Sequence, residues 1–261
     1  MDKKLRVVVM TQADRFFIPA NIAKAAEVCE LLEIVEVNCK SALENRLGDY
    51  YKWFGFWQCA RMGVVTIGRE AEKYLDRAAG YRLFGENRPQ EFAAKVEALK
   101  DLDLEWHFIG HLQTNKLKMV LPYAHLVQSV DTQHLLDAVQ DWGKANGRVI
   151  SVLLELHIGA EETKQGFKEE EVLDILFRAE KYKNIRFCGL MGMASHTDCE
   201  DDIRADFARI ADFHAYLRDL FPELTDFKEL SIGMSGDWKI ALDYGATIVR
   251  IGTAIFGDRQ Y

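Results

Sequence analysis

The stretch LSIGMSGDWKIALDYGATIVRIGTAIFG, residues 230–257, decides the fold because it joins two apolar strands to two turns rich in small residues. The first strand runs into Ser231-Ile232-Gly233-Met234-Ser235, and the second, Thr247 to Ile251, runs into Gly252-Thr253. Each turn offers glycine, a hydroxyl group and backbone N–H groups, a combination that binds phosphate where a helix begins. In a (β/α)8 barrel the loops after the seventh and eighth strands are the usual phosphate site. The stretch therefore predicts a phosphate-bearing ligand.

Upstream of this stretch, apolar strands alternate with amphipathic helical segments from residue 63 onward. We predict strands at Val64–Ile67, Arg82–Phe84, Glu105–Ile109, Leu126–Ser129, Ile150–His157, Arg186–Leu190, Glu229–Ile232 and Thr247–Ile251. Helical patterns lie between most of them, at Arg69–Ala79, Pro89–Leu99, Thr132–Ala145, Lys168–Lys181 and Glu200–Leu220. This alternation predicts an α/β fold, a (β/α)8 TIM barrel over residues 61–261. The alternative, a doubly wound open sheet, normally has a glycine-rich turn after its first strand, and this chain shows none there.

Residues 1–60 do not fit that strand count. Leu5–Met10 and Ile34–Asn38 have the pattern of strands, and Pro19–Leu32 that of a helix. Adding both strands would give ten, too many for this barrel. We therefore predict that residues 1–60 are an extra N-terminal α/β segment packed on the barrel, with the aromatic run YYKWFGFWQCARMG (50–63) as packing surface.

Composition excludes several classes of protein. The 33 basic and 41 acidic residues give a net charge of −8, which argues against an electrostatic nucleic-acid binder. No apolar run approaches the roughly 20 residues needed to span a membrane, and the N-terminus lacks the pattern of a signal peptide. The five cysteines show no CxxC spacing, and the seven histidines show no metal-ligand spacing. We expect a cytoplasmic protein with reduced thiols and no metal.

Four side chains follow or lie in strands where barrel active sites are found. Asn87 follows the second strand directly, and His107 lies in the third, before the polar loop GHLQTNK (110–116). Met193 follows the sixth strand, and thioether side chains pack well against aromatic rings. Arg250 lies in the last strand, where it needs a partner such as a ring nitrogen or a carboxylate to offset its desolvation.

Five motifs in order resemble the pyridoxal phosphate homeostasis protein family: LFGENRPQEF (83–92), LEWHFIGHLQTNKLK (104–118), SVLLELHIGAEETKQGF (151–167), CGLMGMASHTD (188–198) and LSIGMSGDWKIALDYGATIVRIGTAIFGDR (230–259). The resemblance implies a barrel of the alanine racemase N-terminal type. It also implies a cytoplasmic protein, more carrier than enzyme, that binds pyridoxal 5′-phosphate (PLP). Such a protein buffers the cofactor or delivers it, with apo-PLP enzymes as the recipients.

The same resemblance assigns residues to the cofactor. Ser231, Ser235, Gly252 and Thr253 would hold the phosphate, and Gly233 and Met234 would contribute backbone groups. Asn87 would lie near the ring, with His107 and Met193 lining the pocket. Arg250 would face the pyridine nitrogen. An arginine does not readily release a proton, so the ring nitrogen would stay unprotonated and the cofactor would be a weaker electron sink.

The chain departs from the family at the Schiff-base lysine, which normally ends the first strand. Counting back from Gly85 places Thr66 at that position, and a hydroxyl group cannot form the bond. Lys40, in VEVNCKSA (35–42), follows a short strand and is the weaker candidate. Lys73 lies well inside the predicted helix that follows. LRVVVMTQADRFFIPANIAKA (5–25) faintly resembles the start of formyltransferase-like proteins, without their catalytic residues.

Three functions follow from these observations. The first is a PLP-binding homeostasis protein that retains its phosphate site and holds the cofactor non-covalently. The second is a PLP-dependent amino-acid racemase, which needs a Schiff-base lysine and a second acid or base that the chain does not clearly supply. The third is a degenerate barrel that binds another phosphorylated metabolite.

Overall fold

The computed structural model describes residues 6–10, 83–101, 104–159 and 165–251. Within these residues, eight parallel strands close a barrel in chain order. They are β1 (Arg6–Met10), β2 (Leu83–Glu86), β3 (Glu105–Phe108), β4 (Ala124–Val130), β5 (Ile150–Leu156), β6 (Ile185–Gly192), β7 (Glu229–Met234) and β8 (Ile248–Ile251). The (β/α)8 architecture predicted from the alternation is therefore confirmed.

The helices lie between the strands. They are α1 (Pro89–Ala98), α2 (Leu117–Val120), α3 (Gln133–Asn146), α4 (Glu169–Leu176), α5 (Glu200–Leu220) and α6 (Trp238–Asp243). Local signals in the sequence set their ends: Pro89 occupies the first turn of α1, where its missing N–H costs no hydrogen bond. Thr132 caps α3 by accepting from the Leu135 N–H, and Gly147 ends that helix at a φ of 62°.

The first strand of the barrel differs from the expectation. Arg6–Met10 pairs with β8 on one side and with β2 on the other, where Met10 is in register with Gly85. From the sequence we predict this run in an appendage outside the barrel, with Val64–Ile67 as the first barrel strand, and the structure corrects that prediction. Three consecutive valines in RVVVM are typical of a parallel strand buried on both faces, but the apolar run at 64–67 fits such a strand equally well. The difference therefore rests on long-range pairing with β8 and β2, which the local sequence does not reveal.

Residues 64–67 lie outside the described residues, as do Lys40, Thr66, Lys73 and the rest of residues 11–82. The proposed division between an N-terminal segment (1–60) and a barrel (61–261) remains a prediction. What the structure does establish is that β1, which lies between β8 and β2, contains no lysine.

The barrel has an outer and an inner core. The outer core lies between the strands and the helices and includes an aromatic group made by Phe84, Phe92, Trp106 and Phe108. The inner core is a smaller apolar layer inside the barrel, formed by Leu83, Ile109, Leu126, Leu153, Met191 and Ile248. Side chains along a strand alternate between the two faces, so residues two positions beyond this layer also lie inside the barrel.

Polar residues occupy that next layer, toward the carboxyl ends of the strands. Gln128, Glu155 and Arg250 follow Leu126, Leu153 and Ile248 by two positions on their strands. All three are buried. The fold therefore places a polar layer at the end of the barrel where catalytic and binding sites lie in this architecture.

Two further findings concern the described residues. None of their helices is long and apolar enough to cross a membrane. No group of three or more of their His, Cys, Asp or Glu side chains is arranged to hold a metal ion.

Candidate functional site

A continuous chain of hydrogen bonds runs through the polar layer. Nη1 of Arg250 lies 2.7 Å from the Ser231 hydroxyl oxygen, and that hydroxyl lies 2.6 Å from Oε1 of Gln128. The Gln128 amide nitrogen lies 2.9 Å from Nδ1 of His107. The chain thus connects side chains from β8, β7, β4 and β3 across the inside of the barrel.

Each bond in this chain has a donor and an acceptor that can be named. A guanidinium group can only donate, so the Ser231 oxygen accepts from Arg250, and the Ser231 hydroxyl group donates to Oε1 of Gln128. The Gln128 amide group must then turn its N–H₂ toward His107, whose Nδ1 accepts. We assign to His107 the tautomer that carries its proton on Nε2.

Arg250 is 3% exposed and is held by hydrogen bonds to β7 and β6. Besides the Ser231 hydroxyl, Nη1 donates to the Ser231 carbonyl at 2.8 Å, and Nη2 donates to the Gly192 carbonyl at 2.9 Å. Burial lowers the pKa of Arg250 to about 10, while the nearby Glu155 and Asp237 carboxylates favour its charged form. The arginine therefore remains a cation at neutral pH.

Two buried carboxyl groups lie at this end of the barrel. Glu155 lies on β5, and Asp131 follows β4 directly. Burial raises the pKa of Glu155 to about 7, and the charge of Asp131 adds to the increase; Arg250 and His111 oppose it. Oδ2 of Asp131 lies 2.9 Å from Nδ1 of His111, an exposed residue of the loop after β3.

The turn after β2 is stabilised from outside the barrel. The buried Glu86 carboxylate accepts from the backbone N–H groups of Asn87 and Arg88 and pairs with Lys95 on α1. Glu86 points to the same face of β2 as Phe84, which belongs to the outer core. Lys95 is the buried lysine of the described residues, and this ion pair holds it between α1 and the barrel wall.

A glycine makes the approach of the next loop to this turn possible. A Cβ atom on Gly110 would lie 2.1 Å from the carbonyl oxygen of Asn87, far inside van der Waals contact. The loop after β3 therefore crosses directly over the Asn87 backbone. This contact places Asn87 and the loop with His111 at the same end of the barrel.

The end of β7, where the chain enters its next turn, also depends on a glycine. Gly233 has a φ of 91°, and a Cβ atom there would lie 2.6 Å from the Ala241 side chain. The Met234 N–H donates to the Asp237 carboxylate, which begins α6. Ser235 is half-buried in the same turn.

The structure brings several of the predicted site residues together. Ser231, Arg250 and His107 belong to one hydrogen-bonded chain, and Met193 packs against the inner apolar layer. Asn87 lies at the turn after β2, Gly233 and Met234 end β7, and Ser235 begins the turn that follows. Gly252 and Thr253 lie outside the described residues. Ser231 is fully buried beneath that turn, so its phosphate contact stays a prediction.

Sequence reasoning did not single out Gln128, Asp131 or Glu155. Each is a polar residue in or directly after an otherwise apolar strand, in LVQSVD (126–131) and SVLLELH (151–157). A buried polar residue in such a run usually has a partner, and this signal could have identified them.

Sequence comparisons identify the family. The family model for the alanine racemase N-terminal domain matches residues 65–260. The chain is 41% identical over 182 residues to the pyridoxal phosphate homeostasis protein of Aquifex aeolicus, which covers 70% of this chain and 79% of that one. It is 34% identical over 229 residues to the protein of that name from Haemophilus influenzae, with 87% and 92% covered.

Solved structures agree with this relationship. A structure of PipY from Synechococcus elongatus with PLP bound matches at a TM-score of 0.63 and 33% identity, covering 72% of this chain and 87% of that one. The alanine racemase of Streptomyces coelicolor matches at a TM-score of 0.54 and 20% identity, covering 70% and 48%, and shows the shared fold alone. The matched family model and the identities with the Aquifex and Haemophilus proteins, together with the barrel fold, show that the chain belongs to the pyridoxal phosphate homeostasis protein family.

Proposed function

We propose that this protein binds PLP at the carboxyl ends of its barrel strands and serves as a non-catalytic carrier of the cofactor. Membership of the homeostasis family supports this, and so does the PipY relative, whose structure contains PLP. When bound, PLP supplies an aldehyde and an electron-accepting aromatic ring. The observation that carries the proposal is the position of Arg250 inside the barrel.

Arg250 suits the nitrogen end of a pyridine ring. Its guanidinium group has five N–H donors and makes three hydrogen bonds to Ser231 and Gly192, so donors remain for a ligand. Because the guanidinium stays charged at neutral pH, it donates to a ring nitrogen without giving up its proton. A ring held in this way accepts electrons weakly, which favours carriage over catalysis.

The remaining parts of the site would orient the cofactor. We place the phosphate at the turn after β7, where Gly233 allows a close backbone approach and Ser235 offers a hydroxyl group, with Gly252 and Thr253 completing the site. His107, held by Gln128, would line the ring side of the pocket, with Met193 against a ring face. Asn87 would lie at the rim.

Retention of the cofactor would be non-covalent. Strand β1 contains no lysine, and the buried Lys95 is paired with Glu86 outside the barrel interior. The affinity then comes from the phosphate, the ring nitrogen and the pocket walls. Such reversible binding suits a protein that releases PLP to apo-PLP enzymes, which we propose as the recipients.

The test is a titration of the purified protein with PLP, followed by absorbance and by separation of free from bound cofactor. We expect saturable binding at one site per chain, released completely by dialysis. Treatment of the complex with borohydride before dialysis should leave no phosphopyridoxyl group on any lysine in the peptide map. Labelling of Lys40 or Lys73 would contradict non-covalent retention, and no binding at saturating PLP would contradict the function itself.

A further inference from the structure

In the carboxyl pair formed by Asp131 and Glu155, a buried oxygen atom of Asp131 has no hydrogen-bond partner among the described residues. Asp131 has a side chain 1% exposed, and its Oδ2 atom lies 2.9 Å from Nδ1 of His111. Its Oδ1 atom is buried and has no hydrogen-bond partner among the described residues. A buried acceptor left unpaired costs about 1 to 3 kcal/mol, so this oxygen favours a bound donor.

The charges around the pair favour a cationic donor. Glu155 and Asp131 repel each other, and Arg250 and His111 oppose the effect of this repulsion on Glu155. Arg250 directs its hydrogen bonds to Ser231 and Gly192, and the side chain of His111 is 48% exposed to water. Neither group makes a hydrogen bond to Oδ1 of Asp131.

A primary ammonium group fits this place. It is compact, carries a full positive charge and has three N–H donors, which can reach two carboxyl groups at once. Within the described part of the chain, the inner face of the barrel supplies no such group, because its buried lysine pairs with Glu86. A ligand can supply it.

We propose that Asp131 and Glu155 bind the primary ammonium group of a ligand, so that the site prefers the aminomethyl form of the cofactor, pyridoxamine 5′-phosphate. This inference rests on the proposed function, because Arg250 and the phosphate turn must orient the ring. It adds a second binding determinant at the ring carbon opposite the nitrogen, next to the carbon that carries the phosphate arm. The matching alcohol, pyridoxine 5′-phosphate, has the same ring and phosphate but no ammonium group.

Proton linkage follows from this arrangement. Glu155 is faced by Asp131 from the end of β4, by Arg250 from β8 and by His111 from the loop after β3. With a pKa of about 7, it holds a proton in a large fraction of molecules near neutral pH, whereas an ammonium partner requires the carboxylate. Binding of the amine therefore releases a proton, and its affinity should rise with pH up to about 7 and then level off.

The experiment is isothermal titration calorimetry of the full chain with pyridoxamine 5′-phosphate and with pyridoxine 5′-phosphate from pH 6 to 8. The two ligands share the titrations of phosphate and ring, so the ratio of their affinities isolates the ammonium group. We expect the amine to bind about tenfold or more tightly at pH 8, and the ratio to fall at pH 6. Equal affinities for both ligands across this range would overturn the proposal.

Variants sharpen the assignment. Asp131→Asn and Glu155→Gln should each remove most of the preference for the amine while leaving the alcohol bound, which also shows that the variant is folded. The matched control is Asp141→Asn, an exposed change on α3 that removes the same charge and should keep the preference. Retention of the full preference by both site variants would overturn the assignment, whereas failure of both ligands to bind the wild type would contradict the proposed function instead.

Discussion

The guanidinium group of Arg250 donates to the hydroxyl group of Ser231 over 2.7 Å, and through this contact a charged residue on β8 orders polar side chains on β4 and β3. The Ser231 hydroxyl group in turn donates to Gln128, whose amide group donates to Nδ1 of His107. Arg250, which we propose faces the ring nitrogen of the ligand, therefore belongs to the same hydrogen-bonded chain that orients His107.

Replacement of Ser231 by alanine should break this order. Gln128 loses a donor to its Oε1 atom, and Arg250 loses one acceptor, so the free energy of unfolding should fall by about 1 to 3 kcal/mol. The Gln128 amide group is then free to turn, and His107 should sample both tautomers. Urea denaturation and ¹⁵N chemical shifts of the His107 ring measure the two effects.

A double-mutant cycle with Gln128→Met provides the control. The two substitutions should be non-additive by about 0.5 kcal/mol or more, because both remove the same bond. Simple additivity, together with an unchanged His107 spectrum, would show that the hydrogen bonds from Arg250 to His107 are not coupled to one another.

Arg250→Lys should preserve the positive charge but lose the planar arrangement of hydrogen bonds to Ser231 and Gly192. A lysine ammonium is a point donor and cannot reach Ser231 and Gly192 together from two nitrogen atoms, as the guanidinium does. We expect the free energy of unfolding to fall by about 3 kcal/mol and PLP affinity to drop by at least tenfold. Chemical denaturation and fluorescence titration measure these changes.

Arg209→Lys is the matched control for this substitution. Arg209 is an exposed residue of α5 with one ion pair, to Glu169 at 2.7 Å. Its replacement should change stability by less than about 1 kcal/mol and leave PLP binding intact. Arg250→Lys behaving like this control would mean that the planar group is dispensable.

Strands β2 to β8 could be predicted from the sequence to within a few residues, because each is an apolar run bounded by polar turns. The first strand could not. VVVM near the N-terminus and VVTI at 64–67 are equally apolar and both suit a buried parallel strand. Pairing with β8 and β2 decides between them, and that is a long-range interaction with no local signature.

The candidate site shows the same limit. Arg250 and Ser231 lie in a motif whose turns indicate phosphate binding, so sequence reasoning reached them. Glu155 and Gln128 stand alone in strands distant along the chain, and their shared layer becomes visible only once the inner apolar residues are in register. The sequence shows the residue types, but it does not show the strand register that brings Gln128 and Glu155 into one layer.

Gly110→Ala should disrupt the end of the barrel. The new Cβ atom would lie 2.1 Å from the Asn87 carbonyl oxygen, and a backbone neighbour cannot rotate away as a side chain can. We expect the free energy of unfolding to fall by about 3 kcal/mol and PLP affinity to fall with it as the turn moves. Thermal unfolding and a PLP titration measure the effect.

Gly236→Ala is the comparison that isolates this contact. An added Cβ atom at Gly236 has no atom within 4 Å, so the change should leave stability unaltered or raise it by up to about 1 kcal/mol. Similar losses from both substitutions would argue against the close approach of the two loops.

Glu155→Gln should stabilise the unliganded protein, and more so at high pH. A carboxyl group whose pKa is raised on folding from an ordinary value near 4.5 to about 7 binds its proton more tightly in the native state. Native stability therefore falls as pH rises from about 4.5 to about 7, by about 3 kcal/mol from this group, and stays lower above that range. The neutral amide of the variant does not lose a proton. The free energy of unfolding of the variant should therefore increase relative to that of the wild type as pH rises from about 4.5 to about 7. Urea unfolding at pH 5 and pH 8 compares the two proteins. An equal difference at both pH values would mean that folding does not raise the pKa of Glu155. The repulsion between Glu155 and Asp131 would then carry no cost for an ammonium ligand to relieve.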